Sequence, residues 1–444
     1  VNANDRAITA LVMLAHAAVH TYEMAVPIFI LSWLAEFETI PLGLTTLPVT
    51  SATIGLVVTV SYGMFGVGAL PGGVLVDRVG SRRLISLCLA GMGLSYLLLG
   101  VAPNMLVVAL ALVLWGVAAS VYHPAGLSLI SKGVDERGTG LAYHGIAGNL
   151  GIGLGPLTAA ILLLFVDWRT VALVLGAPAL LAAVYAARAN FDETAAVEPV
   201  TDGGDEDADG SGSKADAGVE SLAEFLSQSR RLFAGTFALV FVVVMCSGLY
   251  YRGILTFMPE LVSGLPGFEP ISVGSLLPEP VRSALSVPAE GGQTLEPATY
   301  FYSGLLLIGT LGQYVGGKLS DRVPIEYGIT GAFAGLAVLA LLFVPVSEMG
   351  LGPLLVLGSI LGAGLFVVQP LYQATVAEYT PSGTRGLSYG FTYLGVFGVG
   401  ALGGGIAGTI LQYGSVAGLF LTLAGFAAVA SLVGLLLARR RSSA

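Results

Sequence analysis

Gly73-Val74-Leu75-Val76-Asp77-Arg78-Val79-Gly80-Ser81-Arg82-Arg83 closes one long apolar run, and Gly317-Lys318-Leu319-Ser320-Asp321-Arg322 closes another 244 residues later. Glycine, leucine, aspartate and arginine recur in the same order at both places. Farther along, His123-Pro124 corresponds to Gln369-Pro370, and Gly140-Leu141-Ala142-Tyr143 to Gly386-Leu387-Ser388-Tyr389, both at a shift of 246 residues. Unrelated apolar segments resemble one another by composition, but they have no reason to share an Asp-Arg pair and a proline at matching positions. The chain therefore reads as two homologous halves in parallel orientation.

Composition fixes the solvent. The 444 residues are 55% hydrophobic and 11% charged, where a soluble protein carries about 25% charged residues. The mean hydropathy is +0.85. The 62 glycines suit helices that pack closely without a hydrophobic drive between them. Apolar runs fall at 6–34, 50–76, 84–102, 105–131, 140–166, 170–189, 231–261, 299–320, 327–346, 352–378, 386–412 and 416–438. Each is near the length of about 20 residues that a spanning helix needs. The first is too long for the apolar core of a signal peptide and reads as the first span. The expectation is an all-α membrane protein with twelve transmembrane helices in two pseudo-symmetric six-helix bundles, 1–189 and 231–444. Residues 190–230 are glycine-rich and acidic, hold much of the net charge of −9, and read as a solvated linker.

Arginine and lysine orient the bundle. Arg6, Arg78, Arg82, Arg83, Lys132, Arg137, Arg188, Lys214, Arg230, Arg231, Lys318, Arg322, Arg385 and Arg439 to Arg441 fall on one side, against Arg169 and Arg282 on the other. The basic side is expected to be cytoplasmic, with both termini there, in a cell membrane. Cys88 and Cys246 lie inside apolar runs without metal spacing and read as core residues.

The run from Gly73 to Arg83 closely resembles the signature GxLxDRxGxRR of the major facilitator superfamily. That resemblance implies a cytoplasmic latch made by Gly73, Asp77, Arg78, Gly80, Arg82 and Arg83, with Asp77 meeting a neighbouring helix end. The second copy, Asp321-Arg322, lacks the trailing basic cluster and implies a weaker latch. Gly148, Gly151, Gly155 and Pro156 in the fifth span look like the glycine–proline motif of the family's antiporters, although close packing and a kink explain them equally. Tyr122-His123-Pro124-Ala125 and Tyr251-Arg252 through Pro259 resemble the fosmidomycin-resistance branch, which exports a phosphonate drug. Trp115-Gly116 stands where many proton antiporters of the family carry an arginine.

Ionisable groups in hydrocarbon cost about 2.5–3.5 kcal/mol or more each and usually have a task. Glu23 is the acid deep in a span, and Arg252 the corresponding base. All four histidines, His16, His20, His123 and His144, fall in spans. His16, His20 and Glu23 follow i, i+4, i+7 and share one helix face, which must point into the bundle. Glu23, His20 and His16 are thus candidate proton carriers, because burial favours a neutral carboxyl and a nearby cation a charged one. Arg252 is the candidate anchor for an anionic group. His123, Gln369, Tyr251 and Gln373, with Glu23, complete the expected substrate site, and Tyr22, Tyr250, Tyr372 and Tyr393 are expected near the same cavity. A Glu–Arg pair also arises as a plain structural bridge. His144 reads as a packing or interfacial residue. His16 and His20 have metal-ligand spacing, but with no further ligand nearby in sequence no metal site is expected.

No nucleophile–base set or P-loop is present, so the chain reads as neither an enzyme nor an ATP-driven pump. The reading is a cofactor-free, monomeric, proton-linked secondary transporter of a small organic anion or drug-like compound. It has the lipid bilayer as its surroundings, no nucleic-acid partner, and export as the leading direction. An importer of an organic acid and a transport-inactive sensor of the same fold are the alternatives.

Overall fold

The computed structural model describes residues 2–197, 222–285, 288, 293–381 and 384–442. Helices α1 (Ala3–Glu36), α2 (Ser51–Val67), α3 (Ala69–Val79), α4 (Ser81–Gly100), α5 (Met105–Ala119), α6 (Tyr122–Gly133), α7 (Arg137–Leu162) and α8 (Trp168–Arg188) build the first half. The second half holds α9 (Leu222–Phe233), α10 (Phe237–Leu255), α11 (Met258–Ser263), α12 (Val273–Leu276), α13 (Glu279–Leu285), α14 (Pro297–Ser320), α15 (Ile325–Ser347), α16 (Leu351–Tyr379), α17 (Arg385–Tyr393), a π-helical stretch (Leu394–Val399), α18 (Leu402–Tyr413) and α19 (Val416–Ser442). Two short antiparallel pairs, β1 (Thr39–Pro41) with β2 (Thr46–Pro48) and β3 (Ile271–Ser272) with β4 (Thr294–Leu295), lie in loops.

Among the described residues, ten helical segments are long and apolar enough to cross a membrane, or eleven when the bent pair α2–α3 counts as one span. The expected twelve are thus one more than the described residues show, and helix α14, expected as the eighth span, falls outside that set. It has 24 residues, but Tyr300, Tyr302, Gln313 and Lys318 lower its apolarity. It packs on protein on two sides: Gly309, Gly312 and Gly316 meet Phe366, Ala363 and Val367 of α16, and Leu307 meets Gly153 of α7.

Polar residues before the apolar runs start these helices. Asn2, Asn104 and Asp167 cap α1, α5 and α8 by accepting backbone N–H groups, and Thr50 and Thr53 form a capping box on α2. Prolines set the breaks. The second span, expected to be continuous, bends by 44° between α2 and α3, because Pro71 has no N–H for the carbonyl one turn earlier. Pro124 follows the short break between α5 and α6, which together count as one span, Met105–Gly133. The segment 190–230 is not all linker. Residues 191–197 lie against the first half, where Glu193 accepts from the Arg82 N–H (3.2 Å) and Ala196 N–H bonds to the Lys132 carbonyl (3.0 Å). Its last residues begin α9, an amphipathic helix. The stretch 198–221 lies outside the described residues.

The halves meet along α2 with α18 and α7 with α14. Small residues allow the first contact: a methyl group on Gly55 would sit 2.8 Å from the Gly404 carbonyl oxygen. Thr59 accepts from the Gly405 N–H (2.9 Å) and donates to the Ala401 carbonyl (3.0 Å). Near the β1–β2 end, Ser51 donates to Glu260 of α11 (2.7 Å).

Candidate functional site

Pro27 lies inside α1, and its missing N–H leaves the Glu23 carbonyl without its helical donor. Tyr62 of α2 supplies the missing hydrogen, donating to that carbonyl at 2.7 Å. Tyr302 of α14 donates to the next carbonyl, Met24, at 3.2 Å, and Tyr96 of α4 to that of Tyr22 at 2.6 Å. Three tyrosines from three helices therefore fix the stretch of α1 that presents Glu23. Tyr62→Phe removes one hydroxyl and keeps the ring. The expected result is a loss of about 1–3 kcal/mol, the cost of an unsatisfied buried carbonyl, read as a lower unfolding midpoint in detergent. An unchanged midpoint would mean that the carbonyl has another donor.

The Glu23 carboxylate is 1% exposed and the Arg252 side chain 3%. Arg252 Nη2 donates to Glu23 Oε1, which joins the two halves by a buried ion pair. The guanidinium also lies over the Tyr62 ring, 4.1 Å from its centroid, and near the Tyr251 and Phe397 rings, the geometry of a cation–π contact. Its Nε has no hydrogen-bond partner among the described residues.

On its other side Glu23 continues into the histidines. Glu23 Oε2 lies 2.6 Å from His20 Nδ1, His20 Nε2 lies 3.0 Å from His16 Nε2, and His16 Nδ1 lies 2.7 Å from the His144 carbonyl oxygen. The His144 ring stacks on that of His16, with centroids 3.8 Å apart. His123 stands beside both, with ring centroids 5.3 Å from His16 and 5.7 Å from His20, and it touches the second half through Tyr393 at 5.0 Å. Potential ligand atoms of His16, His20 and His123 fall within 4.8 Å of one another, so these are the side chains that could hold a metal ion, contrary to the sparse ligand set expected from sequence.

Glu23, His20, His16, His123, Arg252 and Tyr251 thus lie together, as their sequence positions suggested. Gln369 is half-buried and Gln373 exposed on α16; neither is a hydrogen-bond partner of this cluster. Tyr22 and Tyr250 point elsewhere, donating to the Leu175 and Leu336 carbonyls inside their own halves. Tyr62, Tyr96 and Tyr302 were missed. For Tyr62 the signal was Pro27, which leaves the Glu23 carbonyl in need of a donor.

The glycines of α7 form the bed of α1. A methyl group on Gly151 would strike the Ala17 backbone, one on Gly155 would come 2.6 Å from Thr21 Cα, and one on Gly148 would overlap the His16 ring. Pro156 lies inside the same helix. At the opposite end from β1–β2, Asp77 pairs with Lys132 at the end of α6 (3.1 Å). Gly80 turns the chain at φ +88, a conformation that favours glycine. Arg82 donates to the Ala186 and Ala187 carbonyls at the end of α8 (3.0 and 2.7 Å), where a cation is favourable. Arg78, Arg83, Asp321 and Arg322 make no ion pair among the described residues, and Gly73 has open space where a side chain would be. The second half is clasped differently. Glu326 of α15, 1% exposed, binds Arg441 of α19 (2.9 Å) and the Tyr379 hydroxyl of α16.

Residues 9–391 match the sequence profile of the Major Facilitator Superfamily. A puromycin resistance protein of Streptomyces alboniger is 36% identical over 108 residues, 24% of this chain and 22% of that protein. A probable L-galactonate transporter of Escherichia coli is 25% identical over 132 residues, 29% of each chain. The chain thus spans less than a third of the length of these curated relatives. Among solved structures, the nucleoside transporter NupG superimposes with a TM-score of 0.69 at 12% identity, covering 97% of this chain and 98% of that one. A bacterial homologue of the human lysosomal transporter Spinster, inward-facing and occupied, gives 0.65 at 14% identity over 98% and 96%. At these identities the structural likeness speaks for the fold alone.

Proposed function

The chain belongs to the Major Facilitator Superfamily, a family of secondary transporters and not of enzymes, and on that premise we propose that it couples proton movement to transport of a small organic anion or drug-like compound. The observation that carries the reading is the buried Glu23–Arg252 bridge between the halves, continuous with His20 and His16. A pair this dry is expensive to keep for stability alone. In alternating access the halves rock against each other around a midplane site, and this bridge lies where they must part. His123 and Tyr251 border the substrate position, with Gln369 and Gln373 lining its approach. The Gly73–Arg83 turn serves as the latch and Asp321-Arg322 as its weaker counterpart; the Gly148–Pro156 stretch belongs to the antiport design.

Export is the leading direction. It is supported by the partial similarity to a puromycin resistance protein and by the short motifs resembling the fosmidomycin-resistance branch. One observation favours import of an organic acid instead. Glu23 occupies Arg252, so a substrate anion gains Arg252 most readily when a proton neutralises Glu23, and anion and proton then enter together. The chain works as a monomer in the cell membrane, with both termini in the cytoplasm. The test is flux in proteoliposomes under an imposed pH gradient, with acetate, methylphosphonate and puromycin as probes. The reading expects at least one probe to accumulate against its gradient and to stop when a protonophore is added. Accumulation indifferent to the protonophore would overturn the coupling.

A further inference from the structure

Three imidazoles from two helices of the first half converge on one point. His16 and His20 stand one turn apart on α1, and His123 lies in the first turn of α6. The three residues are 7%, 7% and 6% exposed, and one ring nitrogen of each lies within 4.8 Å of the other two. Imidazole is a common ligand for zinc and similar ions. The i, i+4 spacing is the one by which a single helix face presents two of them.

The hydrogen bonds around these rings decide which nitrogens carry lone pairs. The His144 carbonyl oxygen only accepts, so His16 Nδ1, 2.7 Å away, carries a hydrogen. Glu23, paired with Arg252, is a carboxylate and also only accepts, so His20 Nδ1, 2.6 Å away, donates to it. In a neutral imidazole the other nitrogen then bears a lone pair. Those nitrogens are His16 Nε2 and His20 Nε2, and they face each other at 3.0 Å. Two lone pairs at that distance repel unless a cation lies between them. The outer bonds are also those that metal-bound histidines make, to a carboxylate or a backbone carbonyl, and they orient both rings in advance. Packing holds His16 further. The His144 ring stacks on it, and a methyl group on Gly148 would overlap it, so the glycine makes the room that the ring fills.

The geometry points to a binding site for one divalent transition-metal ion of the zinc class, held by His16 Nε2, His20 Nε2 and one ring nitrogen of His123. Bonds of about 2.0–2.1 Å in a tetrahedral shell set ligand nitrogens about 3.3 Å apart. The His16–His20 pair therefore parts slightly and His123 swings in. A set of three nitrogens suits zinc, nickel or copper and disfavours magnesium and calcium, which take oxygen. Three protein ligands leave a fourth position open. Because Glu23 and Arg252 cancel each other, the double positive charge of the ion is left over, and an anionic fourth ligand is favoured. All three histidines belong to the first half, so the ion ties α1 to α6 and does not tie the halves together. The site goes beyond the proton-coupling reading and does not depend on it: Glu23 serves here only as the acceptor that orients His20.

The experiment is zinc binding to the full chain without a histidine tag, stripped of metal by a chelator and held in lipid nanodiscs. Equilibrium dialysis is expected to give one tightly bound zinc per chain, which excess magnesium or calcium does not displace. No bound zinc, or several weakly bound ions, overturns the site. His123→Phe keeps an aromatic ring and removes a ligand, so affinity should fall by more than the roughly 10–100-fold that loss of an outer partner costs. His144→Phe keeps the stacked ring and the backbone carbonyl, and should bind zinc as the wild type does. Equal loss in the two variants, or no loss in His123→Phe, overturns the ligand set. Because a variant can fail to fold, X-ray absorption at the zinc edge of the wild type gives a second readout. Three imidazoles and one further light atom around the ion are expected, and fewer than three imidazoles overturn the inference. None of these readouts measures proton-driven flux, so failure of the metal site and failure of the coupling reading are separate results.

Discussion

Arg252→Ala is expected to be among the most damaging single changes in the molecule, costing about 3–5 kcal/mol, the usual loss when one partner of a buried pair is removed. The magnitude comes from what stays behind: the Glu23 carboxylate, 1% exposed, without its counter-ion. The remedy follows from the same argument. Glu23→Gln combined with Arg252→Gln removes both charges and should recover most of the loss, because the desolvation cost disappears together with the attraction. Unfolding midpoints in detergent would give the order wild type near the double variant, with Arg252→Ala well below. Transport separates two roles for the arginine. If Arg252 anchors substrate, Arg252→Lys, which keeps charge but not the planar fork, should lose affinity for anionic probes more than for neutral ones. Equal loss for both would make the residue a bridge only.

Much of this arrangement was legible in the sequence, for identifiable reasons. Charge in hydrocarbon is too costly to be incidental, so Glu23 and Arg252 stood out from an apolar background, and their repeat-related spans indicated that they face each other. The i, i+4, i+7 spacing put His16, His20 and Glu23 on one face. The Asp-Arg repeat gave the two halves. What escaped was information that lives in long-range geometry. The His144 side chain packs, its ring stacked on His16, as a packing or interfacial residue would, but its carbonyl ends the hydrogen-bonded series; backbone acceptors leave no trace in residue identity. Tyr62 is an ordinary tyrosine in an apolar run until Pro27 is set beside it. The clasp between Glu326 and Arg441 joins residues 115 apart, and no motif announces it. The less apolar α14 shows the converse: a helix with protein on two sides needs less hydrophobic surface than one facing lipid.

Glu23→Gln is the second large effect and the most direct test of the whole account. Glutamine keeps the shape and a hydrogen-bonding side chain toward Arg252, but it cannot carry a proton. In proteoliposomes loaded with a probe that the wild type moves, a pH gradient should drive accumulation in the wild type and none in Glu23→Gln. Exchange of labelled for unlabelled probe at equal pH should persist in the variant, because exchange needs substrate binding and alternation but no net proton movement. Loss of gradient-driven accumulation with exchange retained is the predicted outcome. Gradient-driven accumulation at the wild-type level in Glu23→Gln would contradict the claim that the buried carboxylate between the two halves couples protons to transport.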